Sequence, residues 1–184
     1  MKKISFDSTS SVKGVLFQFL IALERCFEMQ EGQSVYIETY GDVSILGKLS
    51  DSKQIESKLY KKNLTDLDKN VWKSIYNWMS EDFPIDTFSS LILLTTQKVP
   101  IGSAWLNWNG KNPSERMNVL RNIKTNFDSR KRKDKDLSTY MNVIFDAKNT
   151  TRLSQIAKML YIDNISMDGN QYHKSLQEKY GKGI

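Results

Sequence analysis

From Lys53 to Tyr60 the chain alternates strictly, with Ile55, Ser57 and Leu59 on one parity and Gln54, Glu56 and Lys58 on the other. A period of two belongs to a strand, because successive side chains of a pleated chain point to opposite faces. The stretch must therefore lie in a sheet with Glu56 and Lys58 facing together and Ser57 on the other side. Two shorter runs precede it. Ser34 to Thr39 is rich in branched and aromatic residues, Tyr40-Gly41 bends the chain, and Asp42 opens a second strand through Leu46. Gly47 to Ser52 is a polar turn. A hairpin of this kind can carry Asp42 onto the face that holds Glu56 and Lys58.

Helical periodicity frames these strands. Leu16, Phe19, Leu20, Leu23, Cys26 and Phe27 recur at helical spacing and predict a helix over about 12–30 with that stripe buried, capped by Ser10 or Ser11 and followed by Gly32. Thr65 to Asp68 reads as a variant capping box opening a second helix, whose apolar face is Leu67, Val71, Trp72, Ile75, Trp78 and Met79. Phe88 to Thr96 is a near-continuous apolar run, the mark of a strand buried on both faces. From about Ser114 the chain reads as mostly helical, with stripes at Leu120, Ile123 and Phe127, at Tyr140 and Ile144, and at Leu153, Ile156, Ala157 and Leu160. The order helix, three strands, helix, strand predicts an α/β domain with a mixed sheet flanked by helices.

At 184 residues the chain is expected to be a single domain over 1–184, with a core at about 10–100 and a helical part at about 112–184. A hydrophobic fraction of 39% with 26% charged residues describes a soluble globular protein. The longest apolar stretches are too short to cross a bilayer, and Met1 to Asp7 carries a basic start without an apolar signal core. A single cysteine, Cys26, forbids an internal disulfide, so a cytoplasmic location is expected, with Cys26 packed in its helix. The net charge of +6 permits phosphate contacts without demanding them.

Asp42, Glu56 and Lys58 carry the chemistry. Two carboxylates can hold a hard cation, with an ammonium beside the point where a water would be activated. The competing reading is a solvated strand face bearing a cross-strand ion pair. Glu38 is a further acid on the strand before Asp42, and Glu24 falls on the polar face of the first helix. Lys53, Lys61, Lys62 and Lys73 lie near the trio in sequence and could grip phosphates, or could simply solubilise the surface. Arg130, Lys131 and Arg132 begin a charged run that reads as a hydrated loop or as a DNA contact acting through counterion release. Trp105 and Trp108 either cover the sheet edge or meet a partner. His173 is the only histidine, which leaves a zinc site without partners, and the chain has no glycine-rich phosphate loop.

Taken with the order of elements, Gly14 to Gln18, Asp42 to Ile45, Gln54 to Lys58, Asn63 through Lys73 and Leu91 to Gln97 resemble the PD-(D/E)XK nuclease superfamily, the restriction-endonuclease-like αβββαβ fold. The likeness is to the N-terminal DNA endonuclease domains of bacterial anti-phage effectors that respond to cyclic oligonucleotides. It covers roughly residues 10 to 100. The resemblance implies a magnesium-dependent endonuclease acting on double-stranded DNA, with manganese as a substitute. Asp42 and Glu56 would be the metal ligands, and Lys58 would stabilise developing charge or orient the nucleophile. Gln18 falls where the family's first helix often presents a polar residue to the site. Two departures stand out: Ser57 replaces the usual apolar residue between acid and lysine, and Gly41 replaces the usual proline. The resemblance also implies control by homo-oligomerisation or by a companion sensor subunit. The alternatives are an inert nucleic-acid-binding or assembly module on the same fold, or an RNase of that fold.

Overall fold

A computed structural model describes residues 9–165, 167 and 169–181, so the Met1 to Asp7 stretch lies outside it. Among these residues six α-helices and five strands make a mixed α/β fold. Helix α1 (Thr9–Glu28) leads into β1 (Ser34–Ile37), β2 (Val43–Leu46) and β3 (Lys53–Lys58), followed by α2 (Lys69–Trp78) and β4 (Ser90–Thr95). Helices α3 (Pro113–Asp128), α4 (Lys135–Ile144) and α5 (Thr150–Met159) precede β5 (Leu160–Asn164) and α6 (Gly169–Tyr180). The strands lie side by side in chain order. The first three pair antiparallel through short connections, whereas β4 and β5 join parallel to β3 after helical crossovers, as parallel pairing requires.

Helices cover both faces of the sheet. On one, Phe17, Ile21 and Ala22 of α1 and Tyr172 and Leu176 of α6 pack against Val43, Ile45, Ile55 and Leu94. On the other, Leu91 and Leu93 meet the larger core built from α2 to α5, which holds all four tryptophans. Trp72, Trp78, Trp105 and Trp108 are each no more than 2% exposed. Trp105 and Trp108 thus belong to the core, with indole N–H groups donating to the Thr65 and Leu160 carbonyls. Truncating any of the four to alanine should cost about 3–5 kcal/mol.

Several expectations are corrected. In α1 the buried residues are Phe17, Ile21 and Ala22, while Leu16, Phe19, Leu23, Cys26 and Phe27 are exposed. This helix is apolar nearly all round, so its periodicity could not choose the face that α6 and the sheet cover. Its first turn begins at Thr9, which puts Ser10 and Ser11 inside the helix rather than at its cap. Helix α2 starts at Lys69, with the Asp68 carboxylate accepting from the Asn70 N–H, so Thr65 is not its cap. Leu160 leaves α5 to open β5, a strand the helical reading of the C-terminal part did not contain. The buried Arg116 guanidinium secures that change of direction by donating to the carbonyls of Ala157, Lys158 and Leu160. No helix among the described residues is long and apolar enough to cross a membrane.

Candidate functional site

The β2–β3 register determines what meets at the end of the central strand. Val43 pairs with Ile55, so one step earlier Asp42 comes across from Glu56. The Asp42 Oδ2 atom accepts two hydrogen bonds from Ser57, one from the backbone N–H at 2.8 Å and one from the hydroxyl at 2.9 Å. Lys58 Nζ lies 2.9 Å from Glu56 Oε2 and 3.8 Å from Asp42 Oδ2. One ammonium therefore bridges two carboxylates that are 14 residues apart in sequence. Asp42 Oδ1 receives no hydrogen bond from the described residues.

A second layer orients Glu56. The Trp78 indole N–H donates to Gln54 Oε1 at 2.7 Å, and the Gln54 amide donates to Glu56 Oε1 at 3.3 Å. All three side chains are buried. Gly41 closes the arrangement from the hairpin side. Its φ of +103° lies where L-residues are strained, and a Cβ there would stand 2.3 Å from Gln54 Nε2 and 3.0 Å from Glu56 Oε1. Glycine is thus the residue that lets the bend approach the acid.

The electrostatics follow from partial burial. The side chains of Asp42, Glu56 and Lys58 are 17%, 8% and 16% exposed, so the cluster is largely desolvated yet still open to a ligand. Burial pushes the Glu56 carboxyl above its ordinary range, aided by the neighbouring Asp42 and opposed by Lys58. Burial would lower Lys58, but Glu56 and Asp42 outweigh it and hold the ammonium above its ordinary value. Lys58 is therefore a fixed positive charge at neutral pH, unable to act as a base.

The other residues singled out by sequence are placed elsewhere. Gln18 lies on α1, across the sheet from Gln54 and Trp78, and its buried Oε1 has no hydrogen-bond partner. Lys53 occupies the far end of β3, five residues or roughly 17 Å from Lys58 at ~3.3 Å per residue. Lys61, Lys62 and Lys73 are exposed, as are Arg130, Lys131 and Arg132 between α3 and α4. Glu38 sits exposed in the turn after β1 with φ +57°, not on the strand. Glu24 is engaged by Tyr172, Lys179 and Arg25. His173 is exposed on α6. Ser57, Gln54, Gly41 and Trp78 are the participants that sequence reasoning passed over. Gln54 shares the parity of Glu56 and could have been found by that signal, whereas no pattern linked Trp78 to the strand.

Among the described residues no group of three or more histidine, cysteine, aspartate or glutamate side chains is arranged to hold a metal ion. A groove of about 470 Å³ opens at the other end of β3, lined in part by Arg25, Lys53, Ile55 and Asp163. It shares no residue with the cluster and brings no convergent polar atoms to one point, so the chemistry is better sought at Lys58. No family model matches the chain, and neither a curated protein nor a solved structure matches it.

Proposed function

We propose that the chain is a divalent-metal-dependent endonuclease that hydrolyses DNA phosphodiester bonds through Asp42, Glu56 and Lys58. In this reading it has the restriction-endonuclease-like fold and acts as the effector of a bacterial anti-phage system. The observation that carries the proposal is the convergence of the three side chains at the end of β3, in a sheet entered by the order αβββαβ. The donor set fits the metal. Mg²⁺ is commonly held by one or two carboxylates with several waters retained, and Asp42 and Glu56 supply that number. The Lys58 ammonium already shows that one cationic centre can approach both carboxylates.

Bound Mg²⁺, or Mn²⁺ in its place, would polarise a phosphate oxygen and lower the pKa of a coordinated water. The chain's own residues do the positioning. Ser57 occupies Asp42 Oδ2 and turns Oδ1 outward. The Trp78–Gln54 relay fixes Glu56 by one oxygen. Lys58 places a permanent charge where negative charge would develop, which is electrostatic stabilisation rather than proton transfer.

Incubating the purified chain with supercoiled plasmid tests the reading. Nicking or linearisation is expected with magnesium and none with EDTA. Intact plasmid in both magnesium and manganese, or cleavage that persists in EDTA, would overturn it. Cleavage of RNA with duplex DNA untouched would transfer the same chemistry to an RNase.

A further inference from the structure

The exposed side of α1 carries a stripe that the fold leaves uncovered. Val12, Val15, Leu16, Phe19, Leu23 and Phe27 are each 46–57% exposed and recur at three- and four-residue steps on one helix face. Together with Met29 they expose roughly 600 Å², the upper end of the largest patch on a typical monomer and near the ~800 Å² that each partner gives to a standard interface. Phe27 has one ring face stacked on Tyr180 at 4.5 Å, which continues the apolar surface onto α6.

We infer that this stripe is the interface of a two-fold homodimer in which two α1 helices pack antiparallel. The sequence of the stripe supports a second copy of this chain over other occupants. A two-fold interface must be complementary to itself. Antiparallel pairing centred between Phe19 and Leu20 sets Val12 against Phe27 and Leu16 against Leu23, so every apolar position meets another. The charges are antisymmetric about the same centre. Lys13 stands near one end and Glu28 and Glu31 near the other, so antiparallel pairing joins opposite charges and opposite helix-dipole ends, whereas parallel pairing joins like ones. A lipid surface is the poorer fit, because helices lying on membranes carry basic polar faces, and the exposed polar residues at the C-terminal end here are acidic. This inference does not depend on the nuclease reading.

Sedimentation velocity across the micromolar range tests it. The parent is expected to sediment at twice the monomer mass. Leu16→Lys alone and Leu23→Glu alone should each reduce the mass to that of the monomer, since each buries an unpaired charge against leucine. The double variant should restore the dimer, because each new lysine then faces the partner copy's new glutamate. Both positions are exposed, and circular dichroism of each variant verifies that the fold is kept. A parent that stays monomeric overturns the inference, and its recovery with anionic vesicles would assign the stripe to a membrane. A dimer that survives both single substitutions, or a double variant that remains monomeric, overturns the surface or the antiparallel register respectively.

Discussion

Lys58 lies between Asp42 and Glu56 at the end of the central strand, and Lys179 lies between Glu24 and Glu28 where α6 crosses α1. The inventories are alike: one ammonium, two carboxylates, and a hydroxyl that donates to an acid, Ser57 in the first cluster and Tyr172 in the second. Their settings differ. The strand cluster hangs on neighbouring strands whose register is locked by the ladder, and its lysine side chain is 16% exposed. The helix cluster spans two helix surfaces on long side chains, and its lysine is 52% exposed. Opposite charges interact several-fold more strongly where water is excluded, while exposed pairs contribute little to stability. Identical chemical groups can therefore fasten two helices in one place and form a poised electrostatic site in another. Position in the sheet makes the difference.

The sharpest way to break this contrast is to remove the lysine from each cluster. Lys58→Ala, like Asp42→Ala, is expected to slow magnesium-dependent plasmid cleavage about 100-fold or more, the scale of losing one preorganised charge from an active site. Lys179→Ala should cut at the parental rate. A Lys58→Ala chain that cleaves as fast as its parent would remove the strand cluster from the chemistry altogether.

A smaller effect is expected at Gly41, and it separates positioning from charge. Gln54 Nε2 cannot swing freely from an added Cβ, because the same amide group is held by Trp78 and Glu56. Together with the strained φ, this makes Gly41→Ala cost about 1–3 kcal/mol in urea denaturation. Cleavage should fall as well, although every charged group is retained. Unchanged stability would mean that the bend has room the geometry does not show.

Much of this arrangement was legible in the sequence, and the rest was not for identifiable reasons. Alternation over Lys53–Lys58 placed Glu56 and Lys58 on one face, and the short hairpin before them limited Asp42 to the neighbouring strand end, so local period and loop length carried the convergence. Ser57 looked like a fault in the pattern, because its parity assigns it to the apolar side. Its bonds to Asp42 depend on the backbone at the sheet edge, which parity does not describe. Lys53 shows the opposite failure, since closeness in sequence along a strand means separation in space. Helix α1 carries apolar residues on more than one face, and only the tertiary arrangement of α6 and the sheet decides which is covered. Strand β5 follows α5 without a glycine or proline to mark the change, and the Arg116 side chain that secures it comes from 44 residues upstream of Leu160.

The finest distinction between the clusters lies in acid titration, where their carboxylates should move stability in opposite directions. Burial raises Glu56 above its ordinary value of 4.5, with Asp42 adding to the rise and Lys58 opposing it. Burial also pushes Glu28 upward, but hydrogen bonds from Lys179 and Arg25 outweigh it and hold that carboxyl below 4.5. A group that binds its proton more tightly when folded contributes stability that is full below 4.5 and is lost as pH rises through the raised value. A group that binds its proton less tightly contributes stability that is full above 4.5 and is lost as pH falls through the lowered value. Subtracting the unfolding free energy of Glu56→Gln from that of the parent, in EDTA, should give a difference that declines as pH climbs above 4.5. The same subtraction with Glu28→Gln should give one that declines as pH drops below 4.5. Two curves bending the same way would mean that Glu56 is not desolvated in solution, and the two clusters would then differ in position alone.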